Sequence, residues 1–376
     1  MPLSARSRPR RVALFTNHLM VGGAEAQLVR LAARLVARGD EVRLVSLLPT
    51  EAYEKEMAEL GVPIVELRGG RVRSAAFVVQ ARRALKEYKP DVVVSFLYQA
   101  NVVARVAAKL AGVPVVISSI RSEFFGGRAR ELVMRFTDPL ATITTTNSAL
   151  AAESLVRRKV APRDRLVVVP NGLDVSVFDE ARRQRDATRA GLGVTGDEFV
   201  WLAAGRLVPQ KDVPNLLDGF AKHRAAHDRS RLLIAGDGVL HDDMVDHAAR
   251  LGITDSVTFL GIREDLPLLM ASADAFVLAS AWEGLPNVVM EAMAAALPVV
   301  STRVGGVAEL VDDPATGVMV PPRDAAALSA AMNAVVELPA DERMARGERG
   351  RAKIARDWSF DGAGDQWLTL IDSYAK

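Results

Sequence analysis

The sequence contains no cysteine, which excludes disulfide staples, thiolate metal sites and cysteine nucleophiles. Aromatic residues fill only 5% of its 376 positions, and no basic stripe interleaved with aromatics occurs, so nucleic acid is not expected as a partner. Nor is there an apolar stretch of the roughly 18 residues that a membrane-spanning helix needs. The nearest approach, 266–282, carries Asp274. Behind the basic N-terminus, the apolar run 12–15 is too short for the core of a signal peptide. A cytoplasmic protein is expected, soluble or peripheral on the inner face of the cytoplasmic membrane.

Missing motifs narrow the chemistry further. The chain has no G-x-x-x-x-G-K-[ST] and no H-E-x-x-H. It also has no Asp-x-Asp, the carboxylate pair that commonly holds a metal against a nucleotide diphosphate. Neither a metal site nor a cofactor is therefore expected. Gly191-Leu192-Gly193-Val194-Thr195-Gly196 does fit G-x-G-x-x-G, but it precedes a strand pattern instead of joining strand to helix. Without that context the match carries no weight, and a nicotinamide-dependent dehydrogenase loses its best argument.

What is present suits two α/β domains. The length is too great for one ordinary core, and 49% hydrophobic with 25% charged residues is a globular balance. Short β-branched runs at 12–16, 41–47, 63–67, 91–96, 114–118, 142–145 and 166–169 alternate with amphipathic stretches such as 24–38. A polar, basic segment at 173–196 interrupts the series and reads as a linker. A second series follows at 199–203, 231–235, 257–260, 275–278 and 299–302, and helical patterns close the chain at 325–336 and 360–374. The expected fold is α/β, two Rossmann-like doubly wound domains at 1–172 and 197–357 facing across a cleft. The terminal segment 358–376 is expected to return to the first domain. Charge divides with them: residues 1–170 hold 27 Lys and Arg against 15 Asp and Glu, a balance of +12, and the remainder carries −10. A basic first half fits an anionic partner such as a phospholipid surface or a phosphorylated acceptor, though surface charge also drifts between domains without purpose.

Three stretches carry chemistry. In Trp282-Glu283-Gly284-Leu285-Pro286-Asn287-Val288-Val289-Met290-Glu291, Pro286 and Asn287 suit the start of a helix whose free N–H groups can bind anionic oxygens. Glu291 lies over a turn further in, where it either accepts hydrogen bonds from a sugar diol or faces solvent. Gly205-Arg206 with Lys211 follows a strand and places a guanidinium fork and a compact ammonium in one loop, suited to a departing diphosphate. Alone, the same residues also describe a solvated basic turn. Gly22 and Gly23 precede a helix after the first strand, with His18 in the same loop.

Taken together with Val169-Pro170-Asn171-Gly172-Leu173-Asp174, Ile234-Ala235-Gly236-Asp237-Gly238, Phe259-Leu260-Gly261 and Val304-Gly305-Gly306-Val307-Ala308-Glu309-Leu310, these stretches resemble the retaining GT-B glycosyltransferases of family four. The resemblance implies that Arg206 and Lys211 bind the diphosphate of a nucleotide sugar and that Glu291 takes the ribose hydroxyls. It implies that Glu283 contacts the donor sugar, helped by the amides of Gly284, Leu285, Pro286 and Asn287. Gly205 lets that loop approach the donor, Ile262 or Arg263 lies near the base, and Gly22 and Gly23 approach the diphosphate. Many relatives place a histidine in a first-domain loop that here reads Ser118-Ser119-Ile120-Arg121-Ser122-Glu123. Arg121 is the substitute candidate, as catalytic or acceptor contact, with Glu123 and His18 also assigned to the acceptor side.

The reading implied is transfer of a hexose or N-acetylhexosamine, from a UDP-sugar before a GDP-sugar, to a lipid-phosphate-linked or glycan acceptor with retention. No metal is needed if the leaving phosphate serves as its own base. The anionic membrane surface is assigned to Arg68, Arg71, Arg73, Arg82, Arg83 and Lys86 around an amphipathic stretch at 74–88. Two alternatives stay open: a transferase for soluble acceptors such as natural products, and a nucleotide-sugar-binding subunit without turnover. An epimerase of the same architecture is more distant, since the histidine-poor first domain offers few acid–base groups.

Overall fold

A computed structural model describes residues 9–20, 22–67, 75–122, 124–312 and 314–375. Glu123, Arg68, Arg71 and Arg73 lie outside the described residues. The chain forms two compact units, Met1–Gly172 with Phe360–Lys376, and Leu173–Ser359.

The first unit is built on seven parallel strands, β1 (Arg11–Thr16), β2 (Glu41–Ser46), β3 (Ile64–Glu66), β4 (Val92–Phe96), β5 (Val115–Ile120), β6 (Ile143–Thr146) and β7 (Leu166–Val168). Their order is β3-β2-β1-β4-β5-β6-β7. Parallel strands joined by helices are buried on both faces, which is why β4 reads as Val-Val-Val-Ser-Phe with every residue covered. Leu28, Leu31, Ala32 and Leu35 of helix Gly23–Ala37 cover one face of the sheet, while helices Ala75–Tyr88 and Tyr98–Ala111 cover the other. Helix Phe360–Tyr374 joins the first face, where Trp367 stacks on Phe96 at 5.6 Å between ring centroids. Arg34 clasps it through Asp361 at 2.9 Å.

The second unit repeats the plan with β8 (Phe199–Ala204), β9 (Ser230–Ala235), β10 (Val257–Gly261), β11 (Ala275–Leu278), β12 (Val299–Thr302) and β13 (Gly317–Val320), in the order β10-β9-β8-β11-β12-β13. The sequence reading lacked β13, a four-residue edge strand led by glycine. It also took 173–196 for a linker, and here the structure differs. Helices Ser176–Arg183 and Arg185–Gly191 occupy that segment and belong to the second unit, with Phe178 in its core. Their polarity misled because Asp274 gathers it: Arg185 donates to Asp274 at 2.6 Å and Arg189 at 3.1 Å. Both arginines also donate to carbonyls at the end of helix Leu266–Ser272, where cations complement the helix dipole. The chain thus crosses between units at Gly172/Leu173 and again at Ser359/Phe360.

Candidate functional site

In doubly wound sheets, ligands bind beyond the carboxyl ends of the two strands at which the order reverses. In the second unit those strands are β8 and β11. The loop after β8 carries Gly205, Arg206 and Lys211; the loop after β11 carries Glu283 to Pro286. The two loops are bonded to each other. Lys211 Nζ lies 2.6 Å from Glu283 Oε1, with both side chains largely covered. Gln210 donates its side-chain amide to Glu283 Oε2 and to the carbonyl of Trp282, each at 3.1 Å. Ser280 Oγ donates to Glu283 Oε1 at 2.7 Å, and Ala281 N–H donates to the Gln210 carbonyl at 2.8 Å. Glu283 is therefore held by three side-chain donors, two of which, Gln210 and Ser280, no sequence signal singled out.

Glycine permits this closeness. At Gly205 φ is +148, and a Cβ there would come within 2.9 Å of the Lys211 side chain, which lies across it. At Gly305 φ is +48, and a Cβ would overlap the Glu283 carbonyl, so the loop after β12 closes directly on the Glu283 backbone. Gly306 N–H secures it by donating to the Gly284 carbonyl at 2.6 Å. The Val304-Gly305-Gly306 motif thus acts as a backstop for Glu283.

Helix Asn287–Ala294 starts directly behind, with Pro286 in the capping position and Leu285 buried. Glu291 is half-buried on this helix, whose other side, through Val289, Met290 and Met293, enters the core. Arg206 is exposed and has no ion-pair partner among the described residues, leaving its fork available. Ile262 is 68% exposed beyond β10. Arg263 is instead engaged locally, donating twice to Asp265 at 2.7 and 2.5 Å, and this pairing raises the arginine pKa and lowers that of Asp265. Asp212, next to Lys211, adopts a left-handed backbone at φ +46, and burial raises its carboxyl pKa.

The first unit presents its candidates at the carboxyl edge of its own sheet. Gly22 caps helix Gly23–Ala37, and a Cβ on it would lie 2.5 Å from Glu25 Oε2, so the Glu25 carboxylate already sits against this helix start. His18 is half-buried in the loop after β1. Arg121 departs most from expectation. It does not reach outward from the loop after β5; it turns into the unit, 8% exposed. Its guanidinium lies 4.3 Å from the Phe96 ring and 5.7 Å from Trp367, and Nη1 donates to Asn171 Oδ1 at 2.8 Å. Nε and Nη2 are buried without a partner, and desolvation pulls the pKa down to about 9. Beside it, Gln27 exchanges two 2.9 Å hydrogen bonds with the Gly172 backbone, and Arg30 donates to the Gly172 carbonyl at 2.7 Å. Arg121 and these residues grip the segment at which the chain leaves the unit.

The Gly191–Gly196 stretch ends a helix and turns into β8, so no strand-to-helix phosphate loop forms there. Among the described residues, no group of three or more His, Asp and Glu side chains gathers as a metal site would require, and no helix is long and apolar enough to cross a membrane.

Comparison with known proteins accords with this geometry. A family model described as "Glycosyltransferase Family 4" matches residues 21–177, and one described as "Glycosyl transferases group 1" matches residues 184–353. The chain is 27% identical over 304 residues to the "UDP-Gal:alpha-D-GlcNAc-diphosphoundecaprenol alpha-1,3-galactosyltransferase" of Escherichia coli, covering 78% of each. It is also 27% identical over 354 residues to the "Lipopolysaccharide core biosynthesis glycosyltransferase LpsD" of Rhizobium meliloti, covering 93% of this chain and 95% of that one. The solved structure of Alr3699/HepE of Anabaena in complex with UDP-glucose superposes with a TM-score of 0.84 at 21% identity, over 97% of this chain and 100% of that one. The chain belongs to glycosyltransferase family four and has the GT-B fold.

Proposed function

We propose that this glycosyltransferase moves a hexose or N-acetylhexosamine from a nucleotide sugar to a lipid-linked or glycan acceptor, with retention at the anomeric carbon. The observation that carries the reading is the Lys211–Glu283 pair at the strand-order reversal of the second unit. A diphosphate brings more negative charge to Lys211 than one carboxylate does, so it displaces Glu283 from the ammonium. Glu283, still held by Gln210 and Ser280, is then free to accept hydrogen bonds from donor-sugar hydroxyls. Arg206 closes on the diphosphate with its planar fork, Glu291 takes the ribose diol, and the amides of 284–287 face the sugar.

As the glycosidic bond breaks, negative charge grows on the leaving diphosphate, and Lys211 and Arg206 stabilise it where it forms. A phosphate oxygen on the same face accepts the proton of the attacking hydroxyl, so no metal and no protein nucleophile are required. UDP is favoured as the nucleotide because UDP-galactose is named for the Escherichia coli relative and UDP-glucose occupies the Anabaena structure. The lipid-linked acceptor is favoured by the diphosphoundecaprenol named for that same relative and by the +12 balance of the first half. Peripheral attachment to the cytoplasmic membrane follows from the same charge.

The test is a thermal-shift screen against UDP, GDP, ADP, TDP and their sugar conjugates, with and without chelator. A chelator-insensitive shift with uridine compounds is expected, because a ligand bound only by the folded state raises stability by mass action. A shift with no nucleotide would sink the donor-site assignment. Release of UDP from the sugar conjugate then separates an enzyme from a subunit that only binds.

A further inference from the structure

Helix Arg128–Thr137 of the first unit wears its amphipathicity inside out. Met134 is its one buried residue, while Leu132, Val133 and Phe136 are 48%, 39% and 75% exposed. Phe124, in the loop that leads to it from β5, is 62% exposed. At 100° per residue, Leu132, Phe136, Ala129 and Val133 share one arc of roughly 100°, with Arg128 and Arg135 along a single border. Polar groups do the inward fixing. The buried Arg105 donates to the Met134 carbonyl at 3.0 Å, Arg130 faces the Tyr98 ring at 5.5 Å, and Glu131 pairs with Arg158 at 2.5 Å. Apolar side chains on a solvated helix face, rimmed by arginine and anchored from behind by polar contacts, mark an interaction surface.

The chemistry of the partner can be read from the charge. Leaving out the buried Arg105, the three helices on this side of the sheet, Ala75–Tyr88, Tyr98–Ala111 and Arg128–Thr137, hold seven Lys and Arg against two Glu. Of those Glu, Glu131 is neutralised by Arg158. A second copy of the chain would set arginine against arginine, and four exposed apolar side chains fall short of the roughly 800 Å² per partner that a stable dimer buries. An anionic bilayer surface meets both requirements, taking apolar side chains below its phosphates and arginines among them.

We infer that helix Arg128–Thr137 and the Phe124 loop form a membrane-docking surface for anionic lipid, with Phe124, Leu132 and Phe136 entering the interface and Arg128 and Arg135 bound to lipid phosphates. The sequence had pointed to 74–88. In that helix Phe77, Ala81 and Leu85 face inward, and Val79 is its sole strongly exposed large apolar residue among those described. The docking helix follows β5, at the carboxyl edge of the sheet, so a lipid-borne acceptor is delivered to the edge at which ligands bind. None of this rests on the donor chemistry of the second unit.

Sedimentation of the full chain with vesicles tests it. Wild type should pellet with phosphatidylglycerol-containing vesicles and stay in the supernatant with pure phosphatidylcholine. Leu132→Gln with Phe136→Gln should lower the partition coefficient more than tenfold, and Arg128→Gln with Arg135→Gln about tenfold with loss of salt sensitivity, whereas Val79→Gln should change it little. All variants should melt like wild type and keep its thermal shift with UDP, since these positions are exposed and outside the donor site. Three results would overturn the proposal: wild type left in the supernatant with anionic vesicles, glutamine variants that pellet unchanged, or a dimer in light scattering that Phe136→Gln dissociates. Loss of the UDP shift in wild type would instead strike the donor reading and leave vesicle binding untouched.

Discussion

Two sheets with the same order of their first six strands each carry a cation beyond a carboxyl edge, and each treats it differently. Lys211 sits at the rim of the second sheet against Glu283, its side chain 18% exposed. Arg121 sits inside the first unit on the faces of Phe96 and Trp367, with no carboxylate partner among the described residues. An ion pair near solvent can be taken apart by a more highly charged ligand at modest cost, because each partner is then re-paired. A guanidinium sealed between rings cannot be reached without repacking the terminal helix that supplies Trp367. The rim cation suits the exchange proposed for it, and the sealed one ties Asn171, just before the first crossing between units, to the terminal helix that follows the second.

The comparison breaks most readily at Lys211. Lys211→Ala should lower turnover by about 10²–10³, the usual cost of deleting one donor to a developing oxyanion, with melting nearly unchanged. Rates close to wild type would mean that this loop does not hold the diphosphate. Arg121→Met should do the reverse. The thioether keeps the stack on Phe96 and Trp367 and removes an uncompensated buried charge, so stability should hold or rise by about 1–2 kcal/mol while turnover changes less than tenfold. A collapse of turnover with no loss of stability would put Arg121 back in contact with the ligand.

Deeper inside, the units differ in a way that acid should expose. Beneath the first sheet, Arg105 is fully buried and bonded to Ser118, Met134 and Asp138, an ionic cluster. In the second unit a buried polar group on the helix after the first strand is neutral: His223 Nδ1 donates to Asn333 Oδ1 at 2.6 Å, while Nε2 accepts from Trp201 and Ser230. Burial pushes the His223 pKa down to about 4, so as pH falls the unfolded chain takes up the proton first. Its contribution is complete above about pH 6.5 and is lost as pH approaches 4, with a slope of at most about 1.4 kcal/mol per pH unit. Melting followed across that window should show the second unit weakening first, and His223→Gln should flatten the dependence. An unchanged slope in that variant would locate the acid sensitivity elsewhere.

Much of the architecture was legible because a buried parallel strand must be continuously apolar and the helices between must be amphipathic. Twelve of the thirteen strands stand where the β-branched runs predicted, and helices Ala325–Val336 and Phe360–Tyr374 match their expected bounds. The failures share one cause. Residues 173–196 looked like a linker because their charges find partners far along the chain, Arg185 and Arg189 at Asp274 and Arg182 at Glu348, and pattern reading sees only near neighbours. The burial of Arg121 was invisible for the same reason, since nothing local shows that Trp367 covers it. Residue type alone singled out Lys211 and Glu283 as candidates but could not show them bonded, nor give Gln210 and Ser280 any contact with Glu283.

Gln210 offers the smallest test, and it addresses the exchange idea most directly. If Glu283 must stay in place after a diphosphate removes Lys211, then the amide of Gln210 and the hydroxyl of Ser280 are what keep it there. Gln210→Ala deletes one hydrogen bond to the carboxylate and one to Trp282, worth about 1 kcal/mol in the transition state, or about fivefold in turnover. The affinity for free UDP should remain, because the Gln210 amide bonds Glu283 and not Lys211, the group proposed to hold the diphosphate. Gln210→Glu should be worse, since a second carboxylate beside Glu283 would compete for Lys211 before any donor arrives. Equal loss of UDP affinity and turnover in Gln210→Ala would show that the two loops move as one piece and that Glu283 has no separate station to hold.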